Sequence, residues 1–351
     1  MKRDWGGYWT EAKLDILDKY LHAFQMASSG TGGPTVYLDL FGGAVSRPRK
    51  DIGTRYPGST VRALRVNPQF DRLIFWELEN PAEKLRIDLA GMFPGDQRYR
   101  VVGGDCNATL TEGLGFANDR RRSPTFAFID PMGLKVGWST LEQLSTWRRS
   151  MRGRKVELWI LLPEPALARV LGLKGVKGES SANRLSWVYG SDDWLAIHQR
   201  RASGEYDAER TRAEFVNLYR WRIQKVLGYK TTHALQLGNV SDQPVYTMIF
   251  ATTVDAGHSI MGDVYDHALV HEIPQLRAHA VSVRRAKREL AKGVVPLFHV
   301  DEEPVPAQNY VHVEPWDPPE RLGSFVELDD EPADDEDDLD PDEPADPLET
   351  D

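Results

Sequence analysis

The sequence contains a single cysteine, Cys106, among its 351 residues. One cysteine excludes an internal disulfide framework and a cysteine-based metal cluster, because both need several thiols. The chain also lacks any apolar run as long as a transmembrane helix, and its first residues, "MKRDWGGYWTEAK", lack the apolar core of a secretory signal. We therefore expect a soluble cytoplasmic protein with no membrane partner.

Basic residues are missing from the end of the chain, where residues 327–351 hold fifteen aspartates and glutamates. Removing these fifteen negative charges from the net charge of −10 leaves +5 on residues 1–326. A basic body favours a polyanionic partner such as nucleic acid. The basic clusters at 120–122, 148–149, 152–155 and 284–288 are either candidate phosphate contacts or solvated helix faces. The acidic tail either competes for that surface or only keeps the protein soluble, and the second interpretation is the simpler one.

Five short apolar runs alternate with helical patterns in the first half of the chain. They cover residues 36–41, 72–78, 99–104, 125–130 and 155–163. Because these runs are apolar throughout, they fit strands of a parallel sheet that is covered on both faces. Residues 233–240 and 244–254 resemble two more strands, close enough in the chain to pair antiparallel.

This succession predicts an α/β fold of the S-adenosylmethionine (SAM) methyltransferase type. The sheet would be Rossmann-type, mostly parallel and seven-stranded, with helices on both faces. We expect one domain over residues 1–300, with an N-terminal helix at 10–26, Thr10 as its N-cap, and a helical insertion at about 164–230. The Pro/Asp/Glu-rich composition of residues 301–351 predicts a disordered acidic tail.

In open α/β sheets the ligand lies beyond the carboxyl ends of the strands, so these ends are the places to seek a site. The first strand ends with Asp39, Phe41, Gly42 and Gly43. Glycines let the backbone approach a cofactor closely, although a full G-x-G-x-x-G is absent and two glycines also form ordinary turns. We take these four residues as candidate cofactor contacts.

Acids follow the next two predicted strands. Glu77, or alternatively Glu79, can accept hydrogen bonds from both hydroxyls of a ribose. Asp105 can accept from an adenine amino group while the backbone N–H of Cys106 donates to the ring. The alternative for Asp105 is to cap the following helix, but Asn107 fits that position well and would free Asp105.

The fourth strand ends in "FIDPMGL", residues 128–134. Asp130, followed by Pro131, can accept a hydrogen bond from the exocyclic amine of a base, which makes both residues candidate catalytic groups. Enzymes that methylate base amines place an aromatic residue after the acid and proline to stack on the flipped base. Here Met132 and Gly133 take those positions, so we consider Trp138 as the substitute, or else as a core residue.

These motifs together resemble the three-Cys-motif partner protein family, TcmP. The matching stretches are "YLDLFGG", "GDCN", "FIDPMGL" and "YGSDDW", and the similarity covers about residues 8–265. The resemblance implies a Rossmann-type methyltransferase-like fold, a SAM site and association with a three-cysteine-motif protein of the radical-SAM type. The family's first loop usually reads F-A-G-x-G and its later motif D-P-F-G, and this chain departs from both.

The sequence thus predicts a SAM-dependent methyltransferase-like protein that acts on nucleic acid together with that partner. One alternative is a catalytically degenerate scaffold of the same fold, because fold does not prove chemistry. Another is a nucleic-acid-binding protein without cofactor. His267 and His271 stand one helical turn apart but lack a third ligand, so we predict no metal site.

Overall fold

The structure is a computed structural model that describes most of the chain. It covers residues 7–31, 33–49, 54–117, 123–148, 153–164, 166–167, 179–292, 304–305 and 308–318. Among these residues, none of the helices combines the length and the apolar character needed to cross a membrane.

Nine strands and eleven helical segments make up this part of the chain. The strands are β1 (Val36–Asp39), β2 (Ser46–Arg49), β3 (Thr54–Pro57), β4 (Arg72–Glu77), β5 (Tyr99–Gly103), β6 (Thr125–Ile129), β7 (Glu157–Leu162), β8 (Thr231–Gly238) and β9 (Pro244–Thr252). The helices are α1 (Tyr8–Ser28), α2 (Ser59–Arg65), α3 (Glu79–Met92), α4 (Cys106–Leu114), α5 (Trp138–Trp147), α6 (Glu179–Tyr189), α7 (Trp194–Ala202), α8 (Ala208–Lys225), α9 (Asp255–His267), a π-helix (Ala268–Glu272) and α10 (Ile273–Ala291).

The main sheet has seven strands in the order β5-β4-β1-β6-β7-β9-β8. The first five in this order pair parallel, and β9 runs antiparallel to both β7 and β8. This is a Rossmann-like methyltransferase fold. The predicted fold class is confirmed, down to the antiparallel pair at the end of the sheet.

Two hydrophobic cores cover the two faces of the sheet, as strands that are apolar throughout require. Alternate residues of β1 point to opposite faces: Val36 and Leu38 enter one core, and Tyr37 enters the other. The first core is closed by α4 to α8, and the second by α1, α2, α3 and α9. The central strands β1, β6 and β7 are therefore buried along their whole length, and a ligand can reach only their ends.

Helix α1 begins slightly earlier than predicted. Gly7, not Thr10, occupies the N-cap position, so the helix begins without a side-chain capping hydrogen bond. The apolar stripe of the helix packs against the sheet through aromatic residues, with the rings of Tyr20 and Phe126 5.2 Å apart. This stripe also carries one charged residue, Lys13, which is buried.

A short antiparallel hairpin, β2–β3, separates β1 from α2 and was not predicted. Its strands read "SRPR" and "TRYP", so they lack the apolar alternation that marks a strand in a sequence. Because the hairpin follows directly after the glycines of the β1 loop, it adds residues beside the candidate cofactor site.

The chain remains attached to the domain beyond residue 300, where the sequence predicted disorder to begin. Trp316 donates its indole N–H to Glu214 at 2.8 Å, and the carbonyl oxygen of Val313 accepts from Arg220 at 2.6 Å. The prediction of a tail starting at 301 is therefore corrected for residues 308–318. Residues 319–351 lie outside the described part.

Candidate functional site

The order of the strands brings the predicted site residues to one edge of the sheet. Asp105, Glu77, Asp39 and Asp130 stand at or just beyond the carboxyl ends of β5, β4, β1 and β6, which are consecutive neighbours. Since parallel strands end at the same edge, these four acids form a row along it. The sequence predicted that these acids follow successive strands. The strand order places them next to one another in space.

The loop after β1 lies tightly against β4. The N–H of Phe41 donates to Asp39 at 3.1 Å, and the N–H of Gly42 donates to the carbonyl of Trp76 at 2.8 Å. Gly43 has a φ of 61°, a conformation that L side chains rarely adopt. A Cβ added there would lie 2.7 Å from the Arg47 guanidinium of the hairpin. Gly43 is therefore needed for the path of this loop, and a Cβ on Gly42 would crowd Leu85 and Thr60 at 3.2 Å.

Asp39 is fully buried beneath this loop. Burial raises the pKa of its carboxyl to about 7, although hydrogen bonds from the Ser59 side chain and the Phe41 N–H oppose the shift. The Tyr37 hydroxyl donates to its Oδ2 at 3.4 Å. A carboxyl with this pKa is partly protonated at neutral pH, and it shapes the loop rather than presenting a free charge.

Glu77 is the last residue of β4 and is half-buried. Burial raises its pKa, and the Leu78 N–H and the charges of Arg47 and Lys135 act in the opposite direction. Glu79, the alternative ribose acid, is exposed and lies beside Gly103. The position of Glu77 at the strand end is the better one for a hydroxyl-binding carboxylate.

Asp105 is the N-cap of α4, which corrects the prediction that Asn107 caps this helix and frees Asp105. Its Oδ1 accepts from the Asn107 N–H at 2.9 Å and from the Asn107 amide at 2.7 Å. Asn107 instead holds the segment before α5, since it donates to the Lys135 carbonyl and accepts from the Gly137 N–H. Cys106 is buried, and burial raises the pKa of its thiol to about 12.

Asp130 forms an ion pair with Lys13, 117 residues earlier in the chain. The side chain of Lys13 is 6% exposed and that of Asp130 is 15% exposed, so the pair is largely shielded from water. Burial lowers the pKa of Lys13, and the Asp130 charge opposes this. Pro131 is buried directly after the acid. The N-terminal helix thus contributes a charged group to the candidate catalytic position.

The three predicted substrate contacts lie in different environments. Met132 is 69% exposed, and a Cβ on Gly133 would meet no heavy atom within 4 Å, so this turn is open. Trp138, by contrast, is buried in the core. The centre of its ring lies 5.0 Å from the Arg222 guanidinium and 5.9 Å from the centre of the Tyr219 ring. Of the two interpretations of Trp138, the core residue is therefore the correct one, and stacking on a substrate base is wrong because the side chain is buried.

Comparison with known proteins gives no family for this chain. No protein-family profile matches it, and no curated protein matches it in sequence. Among solved structures it is similar to protein LPL1258 from Legionella pneumophila, at 11% identity and a TM-score of 0.41, over 71% of this chain and 86% of that one.

Two similar structures carry methyltransferase names. A putative caffeoyl-CoA O-methyltransferase from Staphylococcus aureus is 12% identical, with a TM-score of 0.34 over 68% of this chain and 82% of that one. Methyltransferase CalO6 is 14% identical, with a TM-score of 0.30 over 69% and 66%. At such low scores the assignment of the fold rests on the strand order itself.

Three residues at this edge escaped the sequence prediction. Lys13 lies in the apolar stripe of α1. A charged residue at such a position can be recognised in the sequence and indicates a buried charge. Arg47 belongs to the hairpin that was not predicted, and no sequence pattern indicated that it would lie at this edge. Glu164 follows β7 and is 2% exposed; its Oε1 accepts from Thr247 at 2.7 Å and from Gln236 at 2.8 Å. The rule applied to the other strand ends would have identified Glu164.

The predicted phosphate contacts are only partly described. Residues 120–122 lie outside the described part of the chain. The cluster on α10 is exposed, and one of its members, Arg285, pairs with Glu289 at 3.0 Å. This surface is remote in sequence from the carboxyl-end row.

Proposed function

We propose that this chain is a SAM-dependent methyltransferase-like protein that acts on nucleic acid. The observation that supports this best is the row of Asp105, Glu77, Asp39 and Asp130 at the carboxyl ends of four neighbouring strands. Ligands of open α/β sheets bind at this edge, next to the point where the strand order reverses. In this sheet the reversal lies between β1 and β6, beside the two glycines.

The residues at this edge fit the parts of SAM. Phe41, Gly42 and Gly43 would bring backbone close to the cofactor, Glu77 would accept from the ribose hydroxyls, and Asp105 and the Cys106 N–H would flank the adenine. Arg47, beside Gly43, would pair with the carboxylate of the methionine part of SAM, because a guanidinium forms bidentate hydrogen bonds with a carboxylate. When bound, SAM would supply an electrophilic methyl group.

The chain's own contribution at the acceptor would be positioning. Asp130 would accept a hydrogen bond from an acceptor amine and orient the lone pair of the nitrogen. Lys13 holds this carboxylate in place through their ion pair. Methyl transfer to an amine depends mainly on alignment, so a strong base is not required. The open turn at Met132 and Gly133 leaves room for the acceptor.

The resemblance to the TcmP family leads us to propose a three-cysteine-motif protein as the partner. Cytoplasmic location and nucleic acid as substrate are part of the same proposal, supported by the +5 charge of residues 1–326. A neighbouring gene that encodes a three-cysteine-motif protein would support the partnership. Co-purification of the two chains tests it directly.

A second candidate function is a catalytically degenerate scaffold that keeps the fold and binds the partner. The burial of Trp138 favours it, because this ring is then not available to stack on a substrate base. Val45 also stands where the family's loop has its second glycine, so a side chain occupies the position that the glycine would leave open for the cofactor. Nucleic-acid binding without cofactor is the third alternative.

Titration calorimetry of the full chain with SAM separates these functions. The enzyme proposal predicts micromolar binding, weakened about 10- to 100-fold in Glu77→Ala, since a hydrogen bond to a charged group contributes about 1.5–3 kcal/mol. Glu83→Ala is the matched control, because Glu83 is an exposed acid on the adjacent helix α3. Absence of binding at millimolar SAM would reject the cofactor site and leave the scaffold and the cofactor-free nucleic-acid-binding protein.

A further inference from the structure

Three histidines from distant parts of the chain meet beside the edge strand β8. His233 lies on β8, His258 on α9 and His312 in the segment 308–318. One ring nitrogen of each lies within 4.8 Å of the others. The ring centre of His312 is 4.5 Å from that of His233 and 5.0 Å from that of His258. The three rings therefore surround one small space.

Hydrogen bonds on the outer side of the cluster orient two of these rings. The Tyr310 hydroxyl lies 3.0 Å from Nδ1 of His233, and Glu314 Oε1 lies 2.9 Å from Nε2 of His312. A carboxylate or hydroxyl on the far nitrogen of a histidine is the usual outer partner of a metal ligand, because it fixes the ring and makes it a better donor.

The inner nitrogens are poorly satisfied without an ion. Nε2 of His233 and Nδ1 of His258 are 2.8 Å apart and share one proton. Nδ1 of His312 is buried and has no hydrogen-bond partner among the described residues. Leaving a buried polar atom unpaired costs free energy, and a cation bound by all three nitrogens would remove that cost.

We propose that His233, His258 and His312 bind one transition-metal ion, Zn²⁺ by preference, through three imidazole nitrogens. Imidazole is a preferred zinc ligand, and three histidines leave a fourth position for water. Zn–N bonds of about 2.0–2.1 Å hold tetrahedral ligands about 3.3–3.4 Å apart. The rings of His233 and His258 would thus separate by about 0.5 Å and exchange their shared proton for the ion.

The metal site is distinct from the carboxyl-end row. Strand β8 is antiparallel to β9, and β9 is antiparallel to β7, so β8 runs in the same direction as the parallel strands. Through its pairing partners Phe250, Trp159 and Phe128, His233 is level with Asp39 along the strand direction. Strand β8 is the outermost strand, however, so four strand spacings separate the cluster from β1. There the ion would fasten the segment 308–318 to β8 and α9, next to the Arg220–Val313 hydrogen bond.

The test measures metal binding by the full chain after removal of metal with a chelator. We expect one tightly held Zn²⁺ per chain, and Co²⁺ in its place should give the intense visible absorption of a tetrahedral nitrogen site. His258→Gln and His312→Gln should each abolish this absorption. Glu314→Gln, which removes only an outer partner, should weaken Zn²⁺ binding about 10- to 100-fold.

His271→Gln is the matched control, because His271 is exposed, lies outside the cluster and has its ring 4.9 Å from that of His267. It should leave the Co²⁺ spectrum and the stoichiometry unchanged. The carboxylates of residues 327–351 can also hold Zn²⁺, but without the tetrahedral spectrum. The proposal is overturned if the chain binds no Zn²⁺, or if the His258→Gln/His312→Gln double variant keeps the wild-type spectrum. Circular dichroism of each metal-free variant verifies that it is folded.

Discussion

At the scale of single residues, Asp39 couples the cofactor loop to pH. Its carboxyl is fully buried, and its pKa is raised from 3.8 to about 7. The folded state therefore holds the proton more tightly than the unfolded chain does. Ionisation of Asp39 costs no stability below about pH 4, costs more as the pH rises, and reaches its full cost above about pH 7.

Asp39→Asn should remove this pH dependence. Relative to wild type, the free energy of unfolding of the variant should rise by about 2–3 kcal/mol between pH 5 and pH 8, because the wild type alone then carries a buried charge. Urea titrations of both proteins at the two pH values measure the difference. Glu83→Gln, at an exposed position, is the control. Its free energy of unfolding should differ from that of wild type by the same amount at pH 5 and at pH 8. A constant difference for Asp39→Asn as well would contradict the raised pKa.

Asp105 and Asn107 show why some residue roles were assigned incorrectly. Both residue types are good helix caps, so the sequence alone cannot choose between positions two residues apart. The choice depends on where α5 lies, because Asn107 binds the backbone at Lys135 and Gly137. Local pattern predicts that a cap exists, and tertiary packing decides which residue provides it.

At the scale of elements, the strands and helices of the main sheet were predictable because burial on both faces leaves a clear apolar signature. Hairpin β2–β3 was not, since it pairs outside the main sheet and its residues are mostly polar. The π-helix before α10 was also missed. Pro274 follows it, and a wider turn accommodates a proline that cannot donate a hydrogen bond to the preceding turn.

The Lys13–Asp130 ion pair joins helix α1 to the end of β6. Replacement of either residue breaks this contact. Lys13→Met should lower the free energy of unfolding by about 3 kcal/mol, because Asp130 is then left shielded and unpaired. Lys13→Met/Asp130→Asn should recover part of this loss. The two free energies follow from urea titrations monitored by tryptophan fluorescence.

Lys84 provides the comparison for this pair. It pairs with Asp88 at 2.8 Å, but its side chain is 74% exposed. Lys84→Met should therefore change the free energy of unfolding by no more than about 0.5 kcal/mol. If Lys13→Met costs no more than Lys84→Met, the ion pair does not hold α1 on the sheet.

At the scale of the whole molecule, the site was predictable only where it is made of strand ends. Acids that follow successive parallel strands must converge, and Glu77, Asp105 and Asp130 do so. Arg47 and Lys13 come from a hairpin and a helix whose placement depends on the complete fold. The histidine cluster is similar: its members are 25 and 54 residues apart in sequence, and no local spacing connects them.

The opposite charges of the body and the tail predict that residues 327–351 weaken nucleic-acid binding. A chain ending at residue 326 keeps the packed segment 308–318 and carries a net charge of +5 instead of −10. We expect it to bind duplex DNA at least about tenfold more tightly than the full chain at low salt, because its fixed charge no longer repels phosphates. Fluorescence anisotropy with a labelled duplex measures both affinities.

A full-length variant with the fifteen tail acids changed to their amides separates charge from chain length. It should bind as tightly as the shortened chain, and both should lose affinity steeply as salt is raised, since phosphate contacts release counterions. Equal affinities of the full and shortened chains would show that the tail does not compete for the basic surface. Binding to the duplex that is insensitive to salt would instead exclude phosphate contacts as the main source of the affinity.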